Sequence, residues 1–403
     1  MTRQGSSVRV TGMGCLCAAG RDLPSCLAGI FSRDIAPAKP GRFHTDHLNI
    51  YPVFEVPREL FGQGNSSSEN RHTLTVLYAL SAVDEALTHA GWEARDLGRL
   101  KVGVCIGTTV GSTLNNEDYY REYLAGNQPD PKPVCRYLKN NPASVIAEKF
   151  GLDGPCQTVV NACSSGTDAI GVAAGWIQGG VCDLVITGGT DELCRVTYNG
   201  FASLKIMDVS PCRPFDISRN GLNLGEGAGI MILESPLLRK LDTKNVSGHI
   251  LGYGSACDAH HLTAPHPEGA GLFRALTQAL RLSEADLSQI AFVNAHGTGT
   301  KDNDRVEDMV LARVLPNIPF LSTKGYTGHT LGAAGGIEAV LTLGCLNLGR
   351  VPGSAGFSSA DPESASSPVS ERITVEGNLA ISQSLAFGGS NAVLVLGKGQ
   401  SWN

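Results

Sequence analysis

One cysteine and two histidines of this 403-residue chain have the surroundings that a nucleophile and hydrogen-bond donors to a reacting carbonyl would need. Cys163 stands in VVNACSSGTD, where an apolar strand runs into it and a helix begins just after, with small residues on both sides. A thiol at such a strand-to-helix turn feels the helix N-terminus, which favours the thiolate and therefore a nucleophile. Most cysteines are small buried hydrophobes; Cys163 is set apart by Ser164, Ser165 and Gly166 on its turn. His296 lies in VNAHGTGT and His329 in STKGYTGHTLGAAGG, each where a strand gives way to a glycine-rich loop. Two histidines so placed can donate hydrogen bonds to a reacting carbonyl. A further cluster, CDAHHLTAPHPEG, offers Cys257, His260, His261 and His266 as zinc ligands by residue type. Its spacing fits no common zinc pattern, so no metal is expected.

The elements that must position these residues alternate along the chain. Short β-branched runs at 7–13, 101–107, 157–161, 183–188, 229–234, 248–254, 290–295, 318–322 and 391–397 are separated by helical segments. That order predicts α/β architecture with helices on both faces of the sheets. An internal echo sharpens it: LGEGAGIMILE resembles AFGGSNAVLVLG, VVNACSSGTDAIGVAAG resembles STKGYTGHTLGAAGGIEAV, and VGVCIGTTVGS resembles AFVNAHGTGT. Three pairs in the same order predict a duplicated unit joined near residue 245. Glycine is in surplus, 49 residues or about 12% against a usual ~7%. The surplus has no G-X-Y period and is scattered among apolar runs, which excludes collagen and disorder. Helices rich in Ala and Gly can approach one another or a sheet closely, and the two echoed helices are of this kind.

Composition bounds the partners. A net charge of −6 argues against nucleic acid or an anionic membrane as the main partner. No stretch reaches the ~20 apolar residues that a membrane span needs, so none is expected. The partly apolar N-terminal stretch is interrupted by Arg21, Asp22 and Gly/Pro breaks before it could act as a signal segment. Twelve cysteines without a C-x-x-C pair fit a reducing cytoplasm, with eleven of them as core residues.

Taken together, ACSSG, AHGTGT followed by Asn303, Asp304 and Glu307, STK…TGHTLGAAGGIEA and FGGSNAVLVL resemble the β-ketoacyl synthase family of the thiolase fold. The match runs in order along essentially the whole chain, and its Cys-His-His set resembles the elongating, carrier-protein-dependent branch. The resemblance implies a thiolase-like α/β fold: duplicated halves, 1–245 and 246–403, forming a five-layered α-β-α-β-α core. It implies that Cys163 takes the acyl chain, with the backbone N–H groups of Cys163 and Phe387 as oxyanion hole. His296 and His329 would hold the malonyl thioester carbonyl while CO2 leaves. Lys324 and Glu338 match a buried pair behind the histidines that orients His329. Thr298 and Thr300 match positions that hydrogen-bond the phosphopantetheine arm, Thr263 and His261 would line its channel, and Asp304 and Glu307 would be structural. Lys205 matches a basic position for docking an acidic acyl carrier protein, with Arg71 and Lys132 added by neighbourhood. No cofactor is implied, since the substrates ride on the carrier's phosphopantetheine. A homodimer is implied, or a heterodimer with a related chain-length-factor subunit.

The chain departs from the family pattern where S-F-G-F-G-G-T-N is usual. Here Ser384, Leu385, Ala386, Phe387, Gly388, Gly389, Ser390 and Asn391 stand. Leu385 and Ala386 replace residues whose flexibility lets the Phe387 gate swing, and Gly325-Tyr326 replaces smaller or Met-containing pairs. These changes suggest an acyl chain other than an ordinary saturated one, such as a polyene or polyketide intermediate. A degradative thiolase would need a second catalytic cysteine in the C-terminal loop, where Phe387 stands instead. A chain-initiating synthase would carry Asn in place of His329. The remaining alternative is one subunit of a ketosynthase/chain-length-factor pair, active only with its partner.

Overall fold

The computed structural model describes residues 7–57, 72–109, 116–238 and 246–399. The strands are β1 (Val8–Cys17), β2 (Val102–Gly107), β3 (Cys156–Val159), β4 (Leu184–Asp191), β5 (Gly227–Glu234), β6 (Gly248–Cys257), β7 (Ile290–Asn294), β8 (Phe320–Leu321), β9 (Arg350–Val351), β10 (Ile373–Thr374), β11 (Leu379–Ala386) and β12 (Ser390–Lys398). The helices are α1 (Leu23–Ser32), α2 (Leu74–His89), α3 (Ala94–Leu97), α4 (Glu117–Leu124), α5 (Lys132–Leu138), α6 (Pro142–Phe150), α7 (Ser165–Gln178), α8 (Arg195–Ser203), α9 (Ala270–Ser283), α10 (Lys301–Val314), α11 (Lys324–Thr327) and α12 (Ala334–Leu348).

Ten strands form one sheet in the order β3-β2-β4-β5-β1-β6-β12-β11-β7-β8. From the central β1/β6 pair the pattern is the same in both directions. Two antiparallel pairings come first, and two parallel ones follow at each end. Strands before residue 245 fill one side of the sheet and strands after it the other. Strand β11 lies outside the expected runs. Its interior carries Ser382, Gln383 and Ser384, all buried, and a polar run of this kind hides the alternation that marks a strand.

Alternation within the strands builds three cores. In β5, Ala228, Ile230 and Ile232 face α2 and α6, while Met231 and Leu233 face α7 and α12. In β12, Val393 and Val395 face α9, while Leu394 and Leu396 face the same central helices. The two halves of the one sheet therefore lie on either side of the central helix pair, each covered outside by helices, giving the expected five layers. The stretch Leu331–Leu348 is apolar and long enough to cross a membrane by composition, but 94% of it is buried here as the central helix. Glycine lets that helix in: a Cβ at Gly336 would meet Gly189 N and Gly229 O at 2.5 Å each, and one at Gly166 would meet Gly336 N at 2.6 Å.

Candidate active site

The turn between β3 and α7 carries Cys163. Ala162, just before it, adopts φ 47°, a left-handed conformation that aims the next side chain inward. A network beneath holds the turn: Asn161 and Ser164 donate to Asp168 at 2.6 and 2.8 Å, and Tyr253 donates to its other oxygen at 2.6 Å. Ser390 donates to Asn161 at 3.0 Å, tying the turn to the C-terminal loop.

The two histidines arrive from the other side of the sheet. His296 follows β7, and its N–H and that of Gly297 donate to Glu307 on α10 at 2.6 Å each. Asn303 and Gln383 also donate to Glu307, at 2.7 Å each. Asp304 accepts from Phe215 N at 2.7 Å and Gly299 N at 3.2 Å, so this acidic pair shapes the loop. Burial raises their carboxyls, Asp304 to about 6 and Glu307 to about 7. His329 lies between α11 and α12, anchored by its N–H to Asn223 O at 2.8 Å and its carbonyl to Gly225 N at 2.9 Å.

These side chains converge. His329 Nε2 lies 3.0 Å from Cys163 Sγ, and the two imidazole rings stand perpendicular with centroids 5.1 Å apart. His329 Nδ1 accepts the N–H of Leu331 at 3.3 Å, which leaves the ring proton on Nε2. Lys324 Nζ lies 3.1 Å from His296 Nδ1 and pairs with Glu338, all three buried. This corrects the expected role of the pair: Lys324 directs His296 rather than His329. With Lys324 donating to Nδ1, His296 also carries its proton on Nε2. Burial first, then the Lys324 charge, holds both imidazoles well below the usual histidine range, so they are neutral donors near pH 7.

Burial pushes the Cys163 thiol up to about 11, opposed by Lys324 and by the N–H groups of Phe387 and Cys163. The expectation that the helix end alone would favour the thiolate is thus reversed by desolvation. The same two N–H groups that reach the sulfur are the ones expected to form the oxyanion hole. Asp191, which sequence reading did not single out, adds to the upward push. It accepts from Thr108, Thr109 and Gly332 N, and no motif flagged it.

A cavity of about 400 Å³ opens onto Cys163, His296 and His329. Phe387 closes one wall, half-buried and stacked on Phe201 with centroids 5.6 Å apart. Phe201 also packs edge-on to His329 and was not anticipated. Ala386 is extended at φ −131°, so this closed loop asks nothing of it that alanine resists. Two hydrogen bonds, Asp258 N to Gly389 O and Gly388 N to Leu262 O, both 2.7 Å, zip the Phe387 loop to residues 258–262. Thr298, Thr300 and Thr263 line the cavity, the first two bonded to each other at 2.9 Å. His261 does not line it: the ring is exposed and its Nδ1 accepts Thr263 N and Ala264 N, shaping the loop instead. Cys257 points its thiol at the Gly388 carbonyl, and the 257–269 donors do not gather about a common point among the described residues. Lys205 lies at the cavity mouth, joined by Lys301, which lacked any sequence signal. Lys132 pairs with Asp130 and does not line the cavity, and Arg71 lies outside the described residues.

Two family models match the chain, the N-terminal domain of beta-ketoacyl synthase over residues 5–237 and its C-terminal domain over 247–358. A 3-oxoacyl-[acyl-carrier-protein] synthase 2 from Synechocystis is 34% identical over 80% of this chain and 81% of its own. The ishigamide ketosynthase/chain length factor superposes with a TM-score of 0.89 at 28% identity, over 98% of this chain and 99% of that one. A ketosynthase in complex with its chain length factor from Xenorhabdus doucetiae does so with a TM-score of 0.82 at 26% identity, over 99% of each chain.

Proposed function

The chain belongs to the beta-ketoacyl synthase family, acyl-transferring condensing enzymes, and on that premise we propose how its site extends an acyl chain. The observation that carries the reading is the 3.0 Å contact between His329 Nε2 and Cys163 Sγ, with His296 lining the same cavity. In the first step the Cys163 sulfur attacks the thioester carbonyl of an acyl-carrier protein. The C–S bond to the carrier breaks, and the thiol proton leaves with the carrier's pantetheine sulfur. The N–H groups of Cys163 and Phe387 hold the oxyanion, charge they would stabilise because they are already oriented.

In the second step the two Nε2–H groups hold the malonyl thioester carbonyl. The bond to the carboxylate breaks, CO2 leaves, and its electron pair becomes an enolate stabilised by both donors. The enolate carbon attacks the acyl-Cys163 carbonyl, the C–S bond breaks with its electron pair on sulfur, and the released Cys163 thiolate takes a proton from solvent water. The product is a β-ketoacyl chain two carbons longer on the carrier. Neutral imidazoles suit this role, since the step asks them to donate hydrogen bonds rather than protons. Phosphopantetheine enters past Thr298, Thr300 and Thr263, with Lys205 and Lys301 meeting an acidic carrier at the mouth. Lys324 and Glu338 fix the His296 tautomer, and no resident cofactor is required.

The partner is an acyl carrier protein, and the assembly a homodimer or a pair with a chain-length-factor subunit. Solved neighbours that are such pairs support the latter. A split into 1–245 and 246–403 is supported by the mirrored strand order, and a cytoplasmic location by cysteines that stand as free thiols. The acyl chain it extends is a fatty acid, polyene or polyketide intermediate, and Leu385, Ala386 and Tyr326 in place of the usual family residues favour the latter two. The test is direct: incubation with an acyl-carrier thioester places the acyl mass on the Cys163 peptide, and malonyl-carrier then releases CO2 and β-ketoacyl product. His329→Ala retaining normal condensation would remove the two-donor mechanism.

A further inference from the structure

Three other cysteines are gathered in the core, away from the reacting sulfur. Cys15 and Cys17 are two residues apart on β1 and so share a face, and Cys26 lies opposite on α1. All three are fully buried, and their sulfurs lie within 4.8 Å of one another, with Cys17 and Cys26 at 3.7 Å. The remaining polar geometry is settled: the Cys26 thiol faces Cys15 O at 3.8 Å, and Glu85 accepts Cys15 N and Leu23 N at 2.9 and 2.7 Å.

We infer that Cys15, Cys17 and Cys26 form a buried three-sulfur site for Cu(I). A trigonal ion with metal–sulfur bonds of about 2.3 Å spaces its sulfurs about 4 Å apart, inside the range observed here. Soft thiolate donors select Cu(I), which is satisfied by three. Zn(II) asks for a fourth donor, and no histidine, carboxylate or further cysteine joins the group among the described residues. Binding displaces thiol protons and leaves every oxidation state unchanged. Cys17 also pairs with Gly227, two residues beyond the Gly225 that anchors the His329 carbonyl, so the ion would sit beside the strand that seats the active site.

The experiment uses the full chain, produced in copper-supplemented cells and purified anaerobically. One copper per chain that a bicinchoninate competitor does not remove, with a sulfur-only first shell by X-ray absorption, is the expected result. Cys26→Ala should weaken retention at least tenfold. A chain with Cys135, Cys156 and Cys257 changed to Ser and Cys163→Ala should keep the ion, which excludes the exposed and reacting thiols as its source. Nitrogen or oxygen in the shell, equal retention by Cys26→Ala, one equivalent of zinc instead, or a Cys17–Cys26 disulfide in the purified chain would each overturn the assignment. The absorption spectrum is read on the unaltered chain, so it decides even where a variant fails to fold.

Discussion

Cys163 has two opposed influences on its proton: an enclosure that removes water, and a cation and N–H donors that favour the anion. Enclosure prevails, which makes the resting residue a thiol pushed up to about 11. Carbamidomethylation of Cys163 by iodoacetamide should therefore rise about tenfold per pH unit from 7 to 10, following the thiolate fraction. Mapped by mass spectrometry, a rate that levels off below pH 8 would contradict this. Lys324 offers a second test, because it is both an ion-pair partner and a donor to His296. Lys324→Ala leaves the Glu338 carboxyl buried alone and should cost about 3–5 kcal/mol in chemical denaturation. Lys324→Met with Glu338→Leu should recover most of that stability yet leave malonyl decarboxylation slow, because His296 Nδ1 has lost its donor. Recovery of both together would make the pair purely structural. Cys163, His296 and His329 were legible from their motifs. The Lys324–His296 pairing was not, since a sequence shows that a lysine stands near the site but not which ring it reaches. Asp191, Phe201 and Lys301 carried no motif at all.

At the scale of elements, the central helices α7 and α12 sit closer to each other and to the sheet than side chains would allow. Gly336→Ala puts a methyl group against two backbone atoms and should cost about 1–3 kcal/mol. Gly175, on the exposed surface of α7 with nothing within 4 Å of where a methyl group would stand, is the control. Gly175→Ala should stabilise by about 0.4–1 kcal/mol through the unfolded chain. Urea midpoints compare the two, and a similar shift in both would show that close approach is not what glycine provides. The sequence predicted these helices from their Ala/Gly content and the strands from their apolar runs. It passed over β11 because Ser382, Gln383 and Ser384 face inward, where Gln383 serves Glu307 and Ser384 meets Thr167 at 2.8 Å.

For the whole molecule, the open end of the sheet matters most. Strand β3 lies at one end of the order, its residues half-buried or exposed, and Val160 beyond it is 66% exposed. An edge that no strand covers among the described residues, beside an exposed apolar residue, is suited to meet a second subunit. If the proposed dimer forms through this edge, Val160→Asp should shift the sedimentation coefficient from dimer to monomer while the far-UV spectrum stays unchanged, and a dimer that persists would place the interface elsewhere.

The proposed reacting sulfur and its imidazole neighbour come from distant parts of the chain: Cys163 and His329 are 166 residues apart in sequence and 3.0 Å apart in space. Two separate molecules bearing those groups would lose translational and rotational freedom at every encounter. One polypeptide surrenders that freedom a single time, as it folds. Each later turnover then begins with sulfur and imidazole already at an effective concentration no solution of the two could reach.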